Sequence, residues 1–430
     1  MSRRSLAWAA AGLVAVALLG TLAWLARPVD LITVAPAPSP LVHDATTIER
    51  GRYLAVQGNC QGCHTVRGGT AFAGGRAIPT PFGTVYGGNL TPGTSGLAAW
   101  SADDFWRALH HGQSRDGRWL NPVFPINNTT QIARADSDAL FAYFRSLPAV
   151  DAPVPSHELR WPYNTQMALR VWRALYFDEA DPVAAARDAG ATDALRRGAY
   201  LVNGLGHCSA CHVPRNALGG NGDMLSLSGG LIPMQNWLAP SLLDPAQGGV
   251  QDWAVDDIVA LLQTGRAANG AIATGPMAEV VQHSTQRWAD ADLRAMAAYL
   301  QKLPLTAAAR QPEPKAPDTR ALSAGGQRYE QHCAQCHGER GEGVAVYPPL
   351  AGNRAVLQGS PANLVQTVLN GGFGPATAGH PRPFGMPPFV LELSDQDLAD
   401  VLTYVRTQWG NAAAPVSALD VQQLRAGAGR

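Results

Sequence analysis

The chain has 430 residues, of which 46% are hydrophobic and 15% are charged, and its formal net charge is zero. This length predicts two to four domains rather than one core. Because the chain carries neither a net positive charge nor an acidic run, we expect no nucleic-acid partner and find no sign of a disordered acidic region.

The N-terminus is predicted to be a membrane anchor. Arg3 and Arg4 precede an uncharged run over residues 5–26, which is about as long as a helix must be to cross a bilayer, and Arg27 ends it. We interpret residues 1–27 as an uncleaved signal anchor. A cleaved signal peptide is the alternative, although the run is long for one and lacks a good cleavage site. Both interpretations keep the positive charges inside and export the rest of the chain.

The remainder of the sequence repeats three times. Each repeat contains one Cys-x-x-Cys-His motif and ends in a helical pattern with an aspartate seven residues before a tyrosine. Apolar residues around these tyrosines recur at intervals of three and four, which predicts a helix packed on one face. The motifs are Cys60–His64, Cys208–His212 and Cys333–His337; the aspartate and tyrosine pairs are Asp136 and Tyr143, Asp292 and Tyr299, and Asp397 and Tyr404.

Three kinds of chemistry use two cysteines at this spacing. A redox-active dithiol needs no histidine after the second cysteine, and a structural zinc ion needs a fourth ligand, for which the motifs offer no consistent candidate. Covalent haem uses all three residues, because the cysteines form thioethers with the haem vinyl groups and the histidine binds the iron. The sequence therefore predicts three covalently bound haem c groups. Their attachment residues are Cys60, Cys63, Cys208, Cys211, Cys333 and Cys336, and their proximal iron ligands are His64, His212 and His337.

This cofactor prediction defines the expected architecture. We predict an all-α fold with three cytochrome c domains in tandem after one N-terminal membrane helix. Two proline-rich stretches are expected to be extended linkers. The predicted segments are the anchor 1–27, a linker 28–46, the first domain 47–155, a connector 156–190, the second domain 191–305, a linker 306–320, the third domain 321–411 and a C-terminal tail 412–430.

Two methionines are candidates for the distal iron ligand. Haems that transfer electrons often take methionine opposite histidine, which raises the reduction potential. Met386 lies between a glycine and two prolines, and Met277 follows Gly275 and Pro276 at the corresponding place in the second repeat. The alternative is that both only fill the core. Met224 and Met234 are weaker candidates for the second haem.

The first repeat lacks this feature, because no methionine lies between His64 and Tyr143. Three possibilities remain for its distal ligand. The iron is five-coordinate, it takes His110 or His111, or it takes Met167 from the connector. We favour Met167, since the aromatic sequence around it suggests a segment folded back on the first domain.

The chain resembles a known family, the triple-haem cytochrome c subunits of bacterial membrane-associated periplasmic dehydrogenases for alcohols, aldehydes, gluconate and related sugars. The resemblance runs from about residue 47 to the end. It rests on the three cysteine motifs together with Gly206–Gly219, Gly275–Val281, Tyr347–Asn353 and Arg406–Asn411. It implies that Met277 and Met386 are distal ligands. Phe124 stands where many members of the family have methionine.

The resemblance also implies a function and a location. The subunit takes electrons from a catalytic dehydrogenase partner of the flavin, quinone-cofactor or molybdenum type, and it delivers them to ubiquinone or a terminal oxidase. It lies on the periplasmic side of the bacterial inner membrane. Similar subunits serve molybdenum hydroxylases, so the type of partner stays open.

Two other functions are compatible with the sequence. A catalytic cytochrome such as a peroxidase needs an open iron position, for which only the first haem qualifies. A free-standing electron carrier to a terminal oxidase needs no dehydrogenase partner. No nucleophile, general base or substrate pocket is evident, so we predict no catalytic residue and expect an electron-transfer subunit rather than an enzyme.

Overall fold

The computed structural model describes residues 8, 12, 13, 16, 20, 29–35, 44–181, 191–306, 316–344 and 346–427. The predicted anchor at 1–27 therefore lies almost entirely outside the described residues, as do parts of both proline-rich linkers. Among the residues that are described, no helix combines the length and apolar character needed to span a membrane.

Helices make up most of the regular secondary structure among the described residues. The first repeat contains α1 (Ala45–Gln57), α2 (Cys60–His64), α3 (Ala102–His111), α4 (Ile126–Thr129) and α5 (Arg134–Ser146), and the connector contains α6 (Gln166–Tyr176). The second repeat contains α7 (Asp193–Ala199), a π-helical turn (Tyr200–Leu205), 3₁₀ turns (Cys208–Ala210 and Thr285–Arg287), α8 (Val255–Thr264), α9 (Gly275–His283) and α10 (Asp290–Lys302). The third contains α11 (Thr319–His332), α12 (Ala334–His337), α13 (Arg354–Leu357), α14 (Ala362–Asn370) and α15 (Asp395–Thr407), and α16 (Ala418–Gly427) follows it.

The all-α prediction was incomplete, because short antiparallel sheets are present. β1 (Ala77–Thr80), β2 (Gly83–Tyr86) and β3 (Glu158–Leu159) form one sheet, in which the connector strand β3 pairs with the first repeat. β4 (Gly230–Leu231) pairs with β5 (Leu238–Ala239), and β6 (Gly372–Phe373) with β7 (Gly385–Met386). Strands of two to four residues are too short for alternation of apolar and polar residues to be detected in sequence.

Capping or acidic residues lie at the start of helices α3 and α8, and a glycine lies at the end of each. α3 begins with a capping box, in which the Ser101 hydroxyl accepts from the Asp104 backbone N–H and the Asp104 carboxylate accepts from the Ser101 backbone N–H. α8 lacks a side-chain cap but carries acidic residues in its first turn, where their negative charges interact favourably with the helix dipole. Both helices end at a left-handed glycine, Gly112 with φ 62° and Gly265 with φ 77°.

Each repeat is organised by a close crossing of its first and last long helices. A glycine in the first helix touches a backbone carbonyl that lies three residues after the repeated aspartate and four before the repeated tyrosine. A Cβ added to this glycine would lie 1.9–2.2 Å from the carbonyl oxygen in all three repeats. The pairs are Gly51 with Ala139, Gly198 with Ala295, and Gly325 with Asp400.

Three clusters of buried side chains form around these crossings. Each includes residues from the crossing helices and from the shorter helices between them. The first contains Leu54, Phe105 and Phe144; the second contains Leu201, Ile258 and Leu293; the third contains Tyr329, Val365 and Leu398.

The first and second repeats are joined through one carboxylate in each, of which Asp136 is buried and Asp292 is partly buried. Tyr53 of the first repeat donates to the Asp292 carboxylate of the second at 2.8 Å, and Gln57 donates to it at 2.7 Å. Arg197 of the second repeat donates to the same carboxylate at 2.8 Å. Burial opposes the ionisation of Asp292, but the hydrogen bonds from Arg197, Tyr53 and Gln57 outweigh it, so the pKa of Asp292 is lowered.

The same contact occurs in the reverse direction. Tyr200 of the second repeat donates to Asp136 of the first at 2.6 Å, and Arg50 donates to Asp136 at 2.8 Å. The two repeats therefore exchange tyrosines in an approximately two-fold arrangement. In the third repeat Gln327 stands two residues after the crossing glycine, where the others have tyrosine, and Tyr329 instead donates to the Gly338 carbonyl.

Gly325→Ala tests the helix crossing, with Gly326→Ala in the same helix as its control. The new Cβ of the first variant would lie 2.2 Å from the Asp400 carbonyl oxygen, whereas that of the second would lie 3.2 Å from a ring carbon of Tyr404. Both substitutions gain the same helix propensity, up to about 1 kcal/mol. We expect Gly325→Ala to be less stable than Gly326→Ala by about 1–3 kcal/mol in denaturant unfolding of the haem-loaded protein. Equal stabilities would contradict the close crossing.

Asp292→Asn tests the contact between the first two repeats through its pH dependence. The pKa of Asp292 is lower in the folded protein than in the unfolded chain, where it is about 3.9. The ionised carboxylate therefore stabilises the fold fully above the unfolded pKa, and this stabilisation is lost as pH falls through the folded pKa. At neutral pH the variant should lose about 1–3 kcal/mol of unfolding free energy. The difference from the parent protein should shrink in acid.

The control for this prediction is Asp290→Asn. Asp290 lies in the same helix, but its carboxylate is 61% exposed and pairs only with the partly exposed Arg294. Its loss should change the unfolding free energy by less than about 1 kcal/mol. A gap for Asp292→Asn that stays constant from neutral to acid pH would exclude the charged contact as its cause.

Candidate haem centres

The three cysteine motifs lie directly after the first long helix of each repeat. In the first two repeats the residue before the first cysteine adopts a left-handed conformation, with φ 43° at Asn59 and 37° at His207. This conformation turns the chain sharply, so that the motif forms its own short helical segment. In the third repeat Cys333 caps the end of α11 and α12 follows at once.

Each motif histidine is oriented by a backbone carbonyl. His64 Nδ1 lies 2.6 Å from the Gly88 oxygen, His212 Nδ1 lies 2.7 Å from the Pro240 oxygen, and His337 Nδ1 lies 3.0 Å from the Pro348 oxygen. A carbonyl can only accept, so Nδ1 donates its proton and Nε2 is left with a lone pair that can bind iron. Burial lowers the pKa of all three histidines, which favours the neutral imidazole that a metal requires.

The six cysteines fit thioether attachment better than thiolate chemistry. All six lie within the described residues and none forms a disulfide. Burial raises the pKa of Cys60 and of Cys208 to about 12 and that of Cys333 to about 11. A thiolate nucleophile or zinc ligand would be destabilised there, whereas an uncharged thioether would not. The residues present therefore fit covalent haem.

The two candidate methionine ligands lie in short elements that pack on the cores of their repeats. Met277 is the third residue of α9 and contacts the second core, and Met386 lies in β7 and contacts the third. Glycine is required beside both. A Cβ on Gly275 would meet the Trp237 ring at 2.8 Å, and one on Gly371 would meet the Met386 carbonyl oxygen at 2.3 Å. Their ligation of iron stays a prediction.

In the first repeat Phe124 occupies the position that Met277 has in the second. Both loops start at a left-handed glycine whose carbonyl accepts a backbone bond of 2.8 Å, from Leu120 to Gly112 and from Ala273 to Gly265. Phe124 and Met277 each lie twelve residues after that glycine. The two loops therefore begin with the same backbone hydrogen bond, and phenylalanine replaces methionine at the candidate ligand position.

The other candidates for the first distal ligand lie in different surroundings. His110 and His111 both face Glu179 of the connector, at 3.7 Å and 2.9 Å from its carboxylate oxygens. Met167 is 45% exposed and follows Gln166, whose side chain binds the Trp119 backbone N–H at 2.7 Å. The connector is thus folded back on the first repeat, beside the loop that carries Phe124. Met167 stays the predicted ligand.

Sequence reasoning did not identify the carbonyls that orient the histidines. They lie 24, 28 and 11 residues after their histidines in the three repeats, so no common spacing marks them. The residues that provide these carbonyls are glycine or proline. The sequence signal for them was that each motif precedes a loop rich in these two residues.

The cysteine motifs of the first and second repeats lie side by side. His207, the residue before Cys208, places its Nε2 3.1 Å from the carbonyl oxygen of Gly58, two residues before Cys60. Burial is the main cause of the raised pKa of Cys211, and the nearby Cys63 thiol adds to it. The two motifs therefore come close to each other at the interface of the repeats.

The third cysteine motif faces the second repeat through the loop whose carbonyl orients His337. Arg266 donates to the Val346 carbonyl, and Asn353 donates to the Gly270 carbonyl at 3.4 Å. Pro349, next to the Pro348 carbonyl that orients His337, would lie 3.3 Å from a Cβ on Gly270. This second-repeat loop runs from α8 towards Met277.

The crossed helices, the short motif segments and the oriented histidines define a c-type cytochrome. The family model for cytochrome c matches residues 48–148 and 322–409. The chain is 38% identical over 400 residues to the cytochrome c subunit of alcohol dehydrogenase (quinone) from Gluconobacter oxydans (strain 621H), covering 89% of this chain and 83% of that protein.

Two further relatives agree with this match. The gluconate 2-dehydrogenase cytochrome c subunit of Pantoea cypripedii is 36% identical over 423 residues, 93% of this chain and 94% of the relative. The fructose dehydrogenase cytochrome subunit of Gluconobacter japonicus is 34% identical over 418 residues, 91% and 85% of the two chains. The chain belongs to the family of dehydrogenase cytochrome c subunits, which confirms the resemblance seen in the sequence.

Met167→Ala tests the distal ligand of the first haem. Loss of a methionine ligand should lower the reduction potential of one haem by roughly a tenth of a volt or more, because methionine raises the potential. Adding Phe124→Met to this variant should restore a methionine ligand from the position used in the second repeat. Redox titration and the ferric spectrum of the purified protein measure both effects.

Met296→Leu serves as the control, since Met296 is buried in the second core and should leave all potentials unchanged. Met277→Leu and Met386→Leu provide the reference shifts for their own haems. If Met167→Ala leaves the potentials and the spectrum of the parent protein intact, Met167 is not a ligand.

Proposed function

We propose that the protein is a three-haem electron-transfer subunit, which receives electrons from a catalytic dehydrogenase subunit and passes them to ubiquinone or a terminal oxidase. The observation that carries this proposal is the recurrence of one arrangement. In each repeat a Cys-x-x-Cys pair precedes a neutral histidine whose Nδ1 is held by a backbone carbonyl.

The roles of the residues follow from this arrangement. The six cysteines attach the haems, and His64, His212 and His337 bind iron through Nε2. Met277 and Met386 complete two of the iron sites, and Met167 is proposed for the first. When bound, haem c supplies one-electron chemistry at iron, while the chain sets the potential through the ligands, burial and hydrogen bonds.

The positions of the attachment sites support a continuous route through the chain. The first and second motifs are adjacent through His207 and Gly58. The loop that orients His337 packs on the loop of the second repeat that leads to Met277. Each repeat therefore contacts a neighbouring repeat through its motif or through the loop that orients its histidine, as a relay would require.

The relatives support a dehydrogenase partner. Those named above are cytochrome subunits of dehydrogenases for alcohol, gluconate and fructose. We infer that the partner here belongs to the flavin, quinone-cofactor or molybdenum type. The predicted anchor at 1–27 would hold the complex at the periplasmic face of the bacterial inner membrane, with the chain itself not catalytic.

A molybdenum hydroxylase is the second candidate partner. One of the subunits of nicotinate dehydrogenase from Pseudomonas putida is 38% identical over 387 residues, covering 87% of this chain but only 31% of that protein. A related sequence therefore also occurs as part of a longer dehydrogenase subunit. For this reason we keep a molybdenum hydroxylase as the second candidate partner.

Extraction in a mild detergent tests the proposal. We expect the native protein to migrate with a larger catalytic subunit, and we expect a substrate of that subunit to reduce the haems. Metal and cofactor analysis of the same band assigns the partner type. Mass spectrometry of the denatured chain should find three haem adducts.

Other outcomes select a different function. If the protein migrates alone and no dehydrogenase substrate reduces it, the dehydrogenase assignment fails and a free-standing carrier is the better description. Tight binding of carbon monoxide with peroxide turnover by the isolated protein would instead support a catalytic cytochrome. A chain with two haem adducts would contradict the three-haem assignment.

A further inference from the structure

Three possible metal ligands meet where the connector crosses the first repeat. His110 and His111 end helix α3, and Glu179 lies three residues after the end of helix α6. One ligand atom from each side chain lies within 4.8 Å of the others. We call this set the His-His-Glu cluster. It contains no residue of the Cys-x-x-Cys-His motifs.

The rings of the cluster are held in place. His110 is only 6% exposed, and its ring stacks on Trp106 with 4.4 Å between centroids and an angle of 14°. The His111 ring stands at 89° to it, with 4.7 Å between centroids. His110 Nδ1 is buried and makes no hydrogen bond of good geometry within the described part of the chain. His110 Nε2 faces Glu179, so Nε2 is the atom placed to share a ligand with that carboxylate.

The distances are compatible with a bound ion that would replace the direct hydrogen bond between His111 and Glu179. His110 Nε2 lies 3.7 Å from Glu179 Oε1, which is too long for a hydrogen bond, and His111 Nδ1 lies 2.9 Å from Glu179 Oε2. A tetrahedral ion with bonds of about 2.0–2.1 Å holds its ligand atoms about 3.4 Å apart. The observed spacings approach this value. Side-chain rotations that move the ligand atoms by about 1 Å would therefore bring them to the spacing of a metal site.

A cavity lies beside the two histidines, and carboxylates balance the positive charge of Arg134 in its wall. The two histidines line a cavity of about 420 Å³ with Trp106, Arg134 and residues Thr33, Val34 and Ala35. Arg134 is paired with Asp138 at 2.9 Å and with Asp103 at 2.5 Å, so two carboxylates balance its charge. The cavity lies beside the two histidines and therefore has room for a water that could serve as a fourth ligand.

We propose that the His-His-Glu cluster binds a divalent transition metal of the zinc class, through His110 Nε2, His111 Nδ1 and a Glu179 carboxylate oxygen. Two imidazoles and one carboxylate are a ligand set that zinc accepts. The ion would connect helix α3 to the connector. It would thus fasten the segment that carries Met167 and Gln166 to the first repeat, without taking part in electron transfer.

Zinc titration of the haem-loaded protein tests this site. We expect one saturable zinc per chain in addition to haem iron, measured by calorimetry and elemental analysis, and a rise in the melting temperature when zinc is added. Glu179→Gln and His111→Gln should each weaken zinc binding at least tenfold. Both residues are more exposed than His110, so these variants should fold, and unchanged haem spectra would verify that they do.

His283→Gln is the matched control, because His283 is an exposed histidine at the end of another helix. It should leave zinc affinity unchanged. Zinc affinity that is equal in the parent and in both cluster variants would overturn the proposal, as would the absence of saturable binding by the parent. A haem spectrum that changes when zinc is removed by a chelator would also overturn it, since the site would then belong to the first iron.

Discussion

The contact between one glycine and one backbone carbonyl is the constraint on which each repeat depends. Gly51, Gly198 and Gly325 let two helices approach until a Cβ would collide with a carbonyl oxygen. Packing at this distance buries the apolar faces of both helices and fixes the end of the first one. The cysteine motif follows that end within a few residues in every repeat, so its position is set by the crossing. The orientation of the motif histidine then depends only on the loop that comes next.

Much of this could be predicted from sequence, because the informative signals are local. The motifs, the repeated aspartate and tyrosine, and the ends of helices at Gly112 and Gly265 all follow from residue type and spacing. The repeated tyrosine also lies at the crossing, since a Cβ added to the glycine would lie 2.7–2.9 Å from the tyrosine Cβ. Contacts between distant segments could not be predicted. Nothing local links Tyr53 to Asp292, 239 residues away, or marks Gly88 as the partner of His64.

The differences between the repeats are as informative as their similarities. The first two exchange tyrosines across their interface, whereas the third has Gln327 at that position and contacts the second through loops instead. The first differs from the second at the ligand position, where Phe124 replaces methionine and the connector packs alongside. A repeated sequence thus supports two kinds of interface and two kinds of distal surroundings on one helical framework.

The carbonyls that orient the candidate proximal histidines belong to the main chain. A point mutation changes a side chain and leaves the carbonyl oxygen of that residue in place, so this hydrogen bond resists most single substitutions. The loops that present it differ widely in length among the repeats, at 24, 28 and 11 residues from the histidine. The length and the side chains of these loops can therefore change during evolution while the imidazole keeps the same tautomer. The surface around each motif is therefore free to diverge while the orientation of its histidine is kept.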